Sequence, residues 1–429
     1  MPRFIYTVLF YILSPIYFAR LFVRGLSNTS YLLRWNERLG FTDLTPTPNK
    51  DLIWIHAVSV GEVNASIPLL RKLTESYPSA EFLVTTTTPT GSDRLLERMG
   101  NKVRHQYIPL DLPLCINRFL LNWNPKVLII LETEIWPNLI NCCKERGIRT
   151  ALVNARLSER SLQKYLRFSA LISKTISSID LILAQFESDK ERFKRLSDNI
   201  NISLCGNLKF DQDIPNEMDS IVETIRSNWS VNGQPRPTLV AASTHPTEEI
   251  IIIEAFKSIL TSYPAALLIL VPRHLERFKK VYSILKESGL TFAQRSESED
   301  VTESINILFG DTMGELNFLY SVSDVAFVGG SLIDHGGQNL LEPASLGLPI
   351  ISGPSLRNFQ EIAEQLQTGK ALSLVKSSTE ITSIFLKYME DKKLRTTASK
   401  SAKEIVLKNR GALLTIEKNL KPLLENLSQ

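Results

Sequence analysis

Residues 329–343 read GGSLIDHGGQNLLEP, between an apolar strand-like run at 324–328 and a helix-like run that ends near Gly347, Leu348 and Pro349. Glycine at a strand-to-helix turn lets the backbone come close to a ligand, and a helix N-terminus presents unpaired N–H groups to a phosphate. Glu342, one turn into that helix, can accept hydrogen bonds from a pair of ribose hydroxyls. The segment therefore reads as a nucleotide-sugar site in a C-terminal domain. The competing reading is a plain glycine-rich connection in an ordinary α/β sheet.

The same alternation of apolar run and helix extends outward along the chain. Upstream, strand-like runs at 52–56, 81–86, 127–131, 150–153 and 181–184 alternate with helical candidates at 63–76, 136–146 and 162–178. A second series runs through 238–242, 266–271, 305–309, 324–328 and 349–352. Such runs of Val, Ile and Leu between helices argue for parallel sheets covered on both faces. The pattern breaks between Asp211 and Pro237, where Asp, Asn, Gly and three prolines collect around one short helical piece. A chain of 429 residues also exceeds one ordinary core. The expected organisation is an anchor at 1–24, a Rossmann-like domain at 25–210 and a linker at 211–236. A second Rossmann-like domain at 237–400 follows, then a helix within 401–429 that packs back on the first domain. Ligands would bind in a cleft between the two domains, at the strand C-terminal ends.

Net charge is only +4, yet residues 1–210 hold 27 Lys and Arg against 18 Asp and Glu, while residues 211–429 hold 22 against 27. A basic N-terminal half suits a membrane surface or a phosphorylated acceptor. Aromatic–basic interleaving is absent, which argues against nucleic acid. Cys115, Cys142, Cys143 and Cys205 lack CxxC spacing, and the adjacent Cys142 and Cys143 read as small core residues of a helix. No metal is expected, because no His/Asp/Glu cluster has metal spacing and no Asp-x-Asp pair is suited to a nucleotide-bound ion. At the N-terminus no charge interrupts the run from Phe4 to Ala19, and apolar character continues to Val23. That length allows either a kinked span, bent at Pro15, or a monotopic interfacial helix. Arg20, Arg24, Arg34 and Arg38 follow the run, so the positive-inside bias leaves the bulk of the chain in the cytoplasm.

Polar residues gather at nearly every strand end. After the first strand come Ser59, Gly61 and Glu62, where Gly61 permits a tight turn. Glu62 is either a general base, held ionised by the helix N-terminus, or only a complement to the helix dipole. The turn 85–92 carries Thr88 and binds a polyhydroxylated ligand or caps a helix starting near Ser92. Glu132 and Glu134 end a wholly apolar strand, which is costly unless a substrate or a basic partner meets them. Arg156 and Arg160 can grip a carboxylate or phosphate. In the second half, Arg273 is placed for a phosphate, His245 and His274 are ligands or helix caps, and the turn Met313, Gly314, Glu315 can frame a base.

Taken in order, the apolar N-terminus, RWNERLG at 34–40, the turn from His56 to Glu62, the segment from Glu132 to Asn138, Pro272-Arg273-His274 and GGQNLLEP at 336–343 resemble the 3-deoxy-D-manno-octulosonic acid (Kdo) transferases. The resemblance covers nearly the whole chain. It implies a GT-B glycosyltransferase at the inner membrane that moves Kdo from CMP-Kdo to the lipid A precursor, lipid IVA, with inversion and without a cofactor or metal. It further implies that Glu62 is the general base, and that Pro272, Arg273, Met313, Gly314, Glu315, Asn339, Leu340, Leu341 and Glu342 hold CMP. Ser59, Gly61, Thr88, Glu132, Glu134 and Arg156 then fall to the acceptor or the Kdo group. A nucleotide-sugar 2-epimerase shares the architecture but is expected to lack the apolar N-terminus, and a scaffold protein would not need polar residues at its strand ends.

Overall fold

A computed structural model describes residues 2–211 and 219–425. They form two compact units, one of residues 1–212 with 409–429, the other of residues 213–408. The first is built on β1 (Leu52–His56), β2 (Glu81–Thr86), β3 (Arg104–Tyr107), β4 (Val127–Leu131), β5 (Arg149–Ala155), β6 (Leu181–Ala184) and β7 (Ile202–Leu204). Their order is β3-β2-β1-β4-β5-β6-β7, with every pairing parallel. Every residue of β1, β2, β4 and β6 is buried, which is why β4 and β6 read as unbroken apolar runs and β1 and β2 as apolar runs flanked by His56, Glu81, Thr85 and Thr86.

The second unit repeats the plan with β8 (Thr238–Thr244), β9 (Leu267–Pro272), β10 (Phe292–Gln294), β11 (Ile307–Phe309), β12 (Val325–Val328), β13 (Ile350–Ser352) and β14 (Leu372–Leu374). The order is β10-β11-β9-β8-β12-β13-β14, again parallel. In each unit the chain runs out to both sides of a central pair, β1 beside β4 and β8 beside β12, with β11 inserted between β9 and the edge strand β10 in the second. A crevice opens at the strand C-terminal ends of such a switch point.

Strands β3, β7, β10 and β14 were not expected. β3 shows why: its sequence is RHQY, with no apolar run to signal burial. Tertiary partners make those polar groups affordable. Trp123 Nε1 donates to Gln106 Oε1 at 2.6 Å, Gln106 Nε2 donates to the Phe41 carbonyl, and His105 Nε2 meets Thr86 Oγ1 at 2.9 Å. The helix expected over 162–178 is two, Glu159–Leu166 and Ser169–Ile176. That expected over 401–424 is also two, Lys392–Asn409 and Ala412–Leu424, parted at Gly411, whose φ of 102° a side chain would resist. The last helix sends Ala412, Ile416, Leu420 and Leu424 into the core around Ile53 and Val84. Asp211 caps it, accepting from the N–H groups of Gly411 and Leu413 at 2.7 and 2.6 Å. Of the segment 211–236, residues 212–218 lie outside the described residues, and a helix Asp219–Asn228 follows them. Residues 426–429 also lie outside. All four cysteines are free and buried.

The N-terminal helix Pro2–Ser27 runs through Pro15 and is long and apolar enough to cross a membrane. One side is fastened to the first unit. Phe10, Tyr17 and Phe18 pack on Leu110, Leu112 and Cys115. Tyr6 donates its hydroxyl to Asp111 Oδ2 at 2.8 Å, and Arg38 Nη1 donates to the Tyr17 hydroxyl at 2.8 Å. The other side leaves Phe4, Leu9, Ile12, Ile16 and Val23 exposed.

Candidate active site

The first polar constellation lies at the switch point between β1 and β4. Ser59 is the N-cap of the helix Val60–Ser76, and Glu62 stands in its first turn. Glu62 Oε2 accepts the Val58 N–H at 2.7 Å and Oε1 accepts the Ser59 hydroxyl at 3.1 Å, so the carboxyl folds back over the helix start. The helix N-terminus was expected to keep this carboxyl ionised, but burial outweighs it. Glu62 is only 9% exposed, and burial, with the Glu132 and Glu134 carboxylates adding to it against the bonds from Val58 and Ser59, pushes its pKa up to about 8.

Glu132 follows β4 at φ 57°, a left-handed conformation rare outside glycine. Its partner is Lys209, whose Nζ lies 3.7 Å from Oε1. Sequence reading passed over Lys209 because it precedes the supposed linker with no motif around it. The Asn154 side chain places it, accepting the Leu208 N–H at 3.0 Å. Glu134 accepts from Trp136 Nε1 at 2.8 Å, and burial raises its pKa as well. Buried His56 meets Thr85 through Nδ1, and burial holds it neutral, with a pKa lowered to about 4.

Gly61 differs from expectation, Thr88 follows the capping alternative, and Arg156 is near a carboxylate of the protein itself. Gly61 is an ordinary helical residue at which a Cβ would meet only Ser59 Oγ at 3.7 Å, so no tight turn demands glycine. Thr88 is the N-cap of the helix Pro89–Met99, accepting the Gly91 N–H at 3.2 Å, and that helix begins earlier than Ser92. The Arg156 charge acts on buried Asp189, whose pKa burial raises against the Leu157 N–H and the charges of Arg192 and Arg156. Thr87, the neighbour of Thr88, ties its turn to the one after β1, its N–H and hydroxyl both donating to the Val58 carbonyl.

The second constellation surrounds the switch point between β8 and β12. Gly329 packs against β8 so closely that a Cβ would lie 2.6 Å from the Ser243 carbonyl oxygen. The loop's N–H groups, however, do not wait for a phosphate. Fully buried Glu248 takes those of Gly330 at 2.7 Å, Ser331 at 3.0 Å and Leu332 at 2.9 Å, and that of His245 at 2.9 Å. An internal carboxylate thus fixes the loop's shape before any ligand arrives.

Glu342 is the second residue of the helix Leu341–Ser345 and accepts from Asn339 Nδ2 at 3.1 Å. Burial raises its pKa, opposed by that bond and by the nearby Arg273 charge. Arg273 is exposed after β9, and its side chain has no hydrogen bond or ion pair among the described residues. Met313 is 60% exposed and Gly314 sits at φ 88° with open space around it. The Glu315 carboxylate is already bound to Arg295 at 2.8 Å and to the Thr312 hydroxyl, so this turn offers backbone more than charge. Neither His245 nor His274 caps a helix through its side chain.

Two doubly wound parallel sheets, each with its polar residues gathered at the switch point, define a glycosyltransferase of GT-B fold. Residues 33–212 match the family described as 3-deoxy-D-manno-octulosonic-acid transferase (kdotransferase), and residues 247–405 match glycosyl transferases group 1. The chain belongs to the Kdo transferase family. The 3-deoxy-D-manno-octulosonic acid transferase of Haemophilus influenzae is 39% identical over 427 residues, 99% of each chain. That of Bordetella pertussis is 34% identical over 76% of this chain and 77% of its own. A UDP-GlcNAc 2-epimerase from Neisseria meningitidis shares the fold, with a TM-score of 0.58 over 86% of this chain and 100% of its own, at 14% identity. The full-length likeness to Kdo transferases sets the epimerase reading aside.

Proposed function

We propose that this enzyme transfers Kdo, with inversion, from CMP-Kdo to lipid IVA at the cytoplasmic face of the inner membrane. One observation carries the reading: a buried carboxyl, Glu62, at the β1–β4 switch point with a pKa near 8. A general base works best with a pKa near the working pH. Glu62 takes the proton of the acceptor hydroxyl as that oxygen attacks the anomeric carbon. Lys209 and Glu132 stand beside it, and Ser59, Gly61, Thr88, Glu134 and Arg156 line the acceptor and sugar side.

On the donor side, Arg273 meets the phosphate and Glu342 the ribose. Pro272, the turn from Met313 to Glu315, and Asn339, Leu340 and Leu341 frame the rest of CMP. No metal takes part in this scheme, because fixed cationic groups stabilise the departing phosphate. The N-terminal helix lies in the membrane interface rather than across it. A helix clasped along one side by Asp111, Arg38 and Leu110 has only its opposite apolar side free for lipid.

The test is Glu62→Gln with CMP-Kdo and lipid IVA, the product read by mass spectrometry. Transfer should fall roughly 10²–10⁴-fold, as for loss of a general base, while CMP affinity holds. Transfer within about threefold of wild type would remove Glu62 from that role.

A further inference from the structure

We propose that His245, His274 and His335 form the subsite for the donor's phosphate and take up a proton as the phosphate binds. The three residues are 29 to 90 positions apart, yet the winding of the sheet gathers them. His245 follows β8, His274 follows β9, and His335 lies in the glycine-rich loop after β12. The His245 ring centroid is 5.4 Å from that of His274 and 4.3 Å from that of His335. His245 is buried, and the other two are exposed.

The hydrogen bonds define its proton. Gln338 Nε2 lies 3.1 Å from His245 Nε2. An amide nitrogen only donates, so Nε2 accepts and the neutral ring carries its proton on Nδ1. The surroundings explain the neutrality. Arg273 and Arg277 face the ring from beyond β9, and both other imidazoles crowd it. Three carboxylates are near: Glu248 is committed to four backbone N–H groups, Asp334 beside His335 pairs with Arg357, and Glu249 pairs through Oε2 with Arg277 at 3.2 Å, its buried Oε1 having no hydrogen-bond partner among the described residues. Burial and these cations together lower the His245 pKa to about 4. The cluster has positive charge and proton sites, while each nearby carboxylate already has its own partner.

An arriving phosphate supplies an uncommitted anion. It reverses the local field, so protonating one imidazole becomes favourable, and binding and protonation are linked. The inference rests on the reading that CMP binds the second unit. In the transfer step the bond between the anomeric carbon and the phosphate oxygen breaks, and its electron pair stays on that oxygen. The acceptor oxygen forms the new bond and its proton passes to Glu62. CMP leaves with one more negative charge, which the imidazolium balances at the place where charge develops.

Calorimetry with CMP, and with cytidine as the ligand lacking phosphate, in buffers of different ionisation enthalpy at pH 7 reads proton uptake directly. Wild type should take up roughly half a proton or more per CMP and none per cytidine. CMP's own phosphate, with a second pKa near 6, is mostly dianionic there and on binding a cationic site can only release protons, so the sign separates the two sources. His274→Gln and His335→Gln, both at exposed positions, should each cut the uptake and weaken CMP but not cytidine. Buffer-independent heats for CMP, or uptake unchanged in both variants, would overturn the proposal while leaving the donor reading intact. Failure of wild type to bind CMP would sink the donor reading and this subsite with it.

Discussion

The raised Glu62 pKa has a consequence for stability that no contact shows. The unfolded chain gives up this proton near 4.5, and the folded enzyme keeps it to about 8. Between those values the folded state binds more protons, so stability falls as pH rises through the window and the loss is complete above pH 8. At about 1.36 kcal/mol per pH unit, the full loss is roughly 5 kcal/mol. Relaxation of the site when it ionises brings the expected figure to about 2–5 kcal/mol. Glu62→Gln has no proton to lose and keeps an oxygen for the Val58 N–H. The variant should therefore match wild type, or fall slightly below it, at pH 5 and exceed it by about 2–5 kcal/mol at pH 8.5. Urea unfolding followed by tryptophan fluorescence is suited to the measurement, since Trp35, Trp54, Trp123 and Trp136 all lie in the first unit and only Trp229 in the second. A stability difference between the two proteins that does not change with pH would refute a buried high-pKa carboxyl, and with it the physical basis for the base role.

Arg273→Ala and Glu342→Ala should each weaken CMP by about 1.5–3 kcal/mol, as for hydrogen bonds to charged groups. The Arg273 variant should keep its Tm, because that side chain holds nothing else in place, and unchanged CMP affinity in both variants would overturn the donor site. Tyr6→Phe leaves buried Asp111 with only the N–H groups of Asn138 and Leu139, and should cost about 1.5–3 kcal/mol at pH 7.5. Because burial holds the Asp111 pKa up at about 6, that loss should shrink as pH falls through 6 and the carboxyl is protonated. A loss that persists at pH 5 would show that the hydroxyl does not serve the charged form. Removing residues 1–24 should likewise lower the Tm of the first unit, since it uncovers Leu110, Leu112 and Cys115 and strips Arg38 of Tyr17; a truncated protein as stable as the full chain would show that the helix only rests on the unit. Transfer from preformed CMP-Kdo should survive EDTA, and a metal-reversible loss would reveal an ion in the mechanism.

Much of this enzyme was legible in its sequence, for a local reason. Strands buried on both faces are largely apolar, so β1, β2, β4 and β6 announced themselves, and the polar residues just past them stood out as candidates for the ligand crevice. The glycine-rich turn after β12 was legible on the same grounds. What tertiary structure alone decided was the state of those residues. No neighbour in sequence reveals that Glu62 shares its pocket with Glu132 and Glu134, so its helix N-terminus promised an ionised carboxylate where burial holds a proton. The loop at 330–332 promised free N–H groups, but Glu248, more than eighty residues earlier, had already taken them. Lys209 carries no motif at all, and His245, His274 and His335, though each lies in a polar strand-end segment, acquire a joint meaning only because parallel winding brings those distant strand ends to one edge. Burial and electrostatic coupling depend on what lies within a few ångströms in space, and sequence order does not encode that distance.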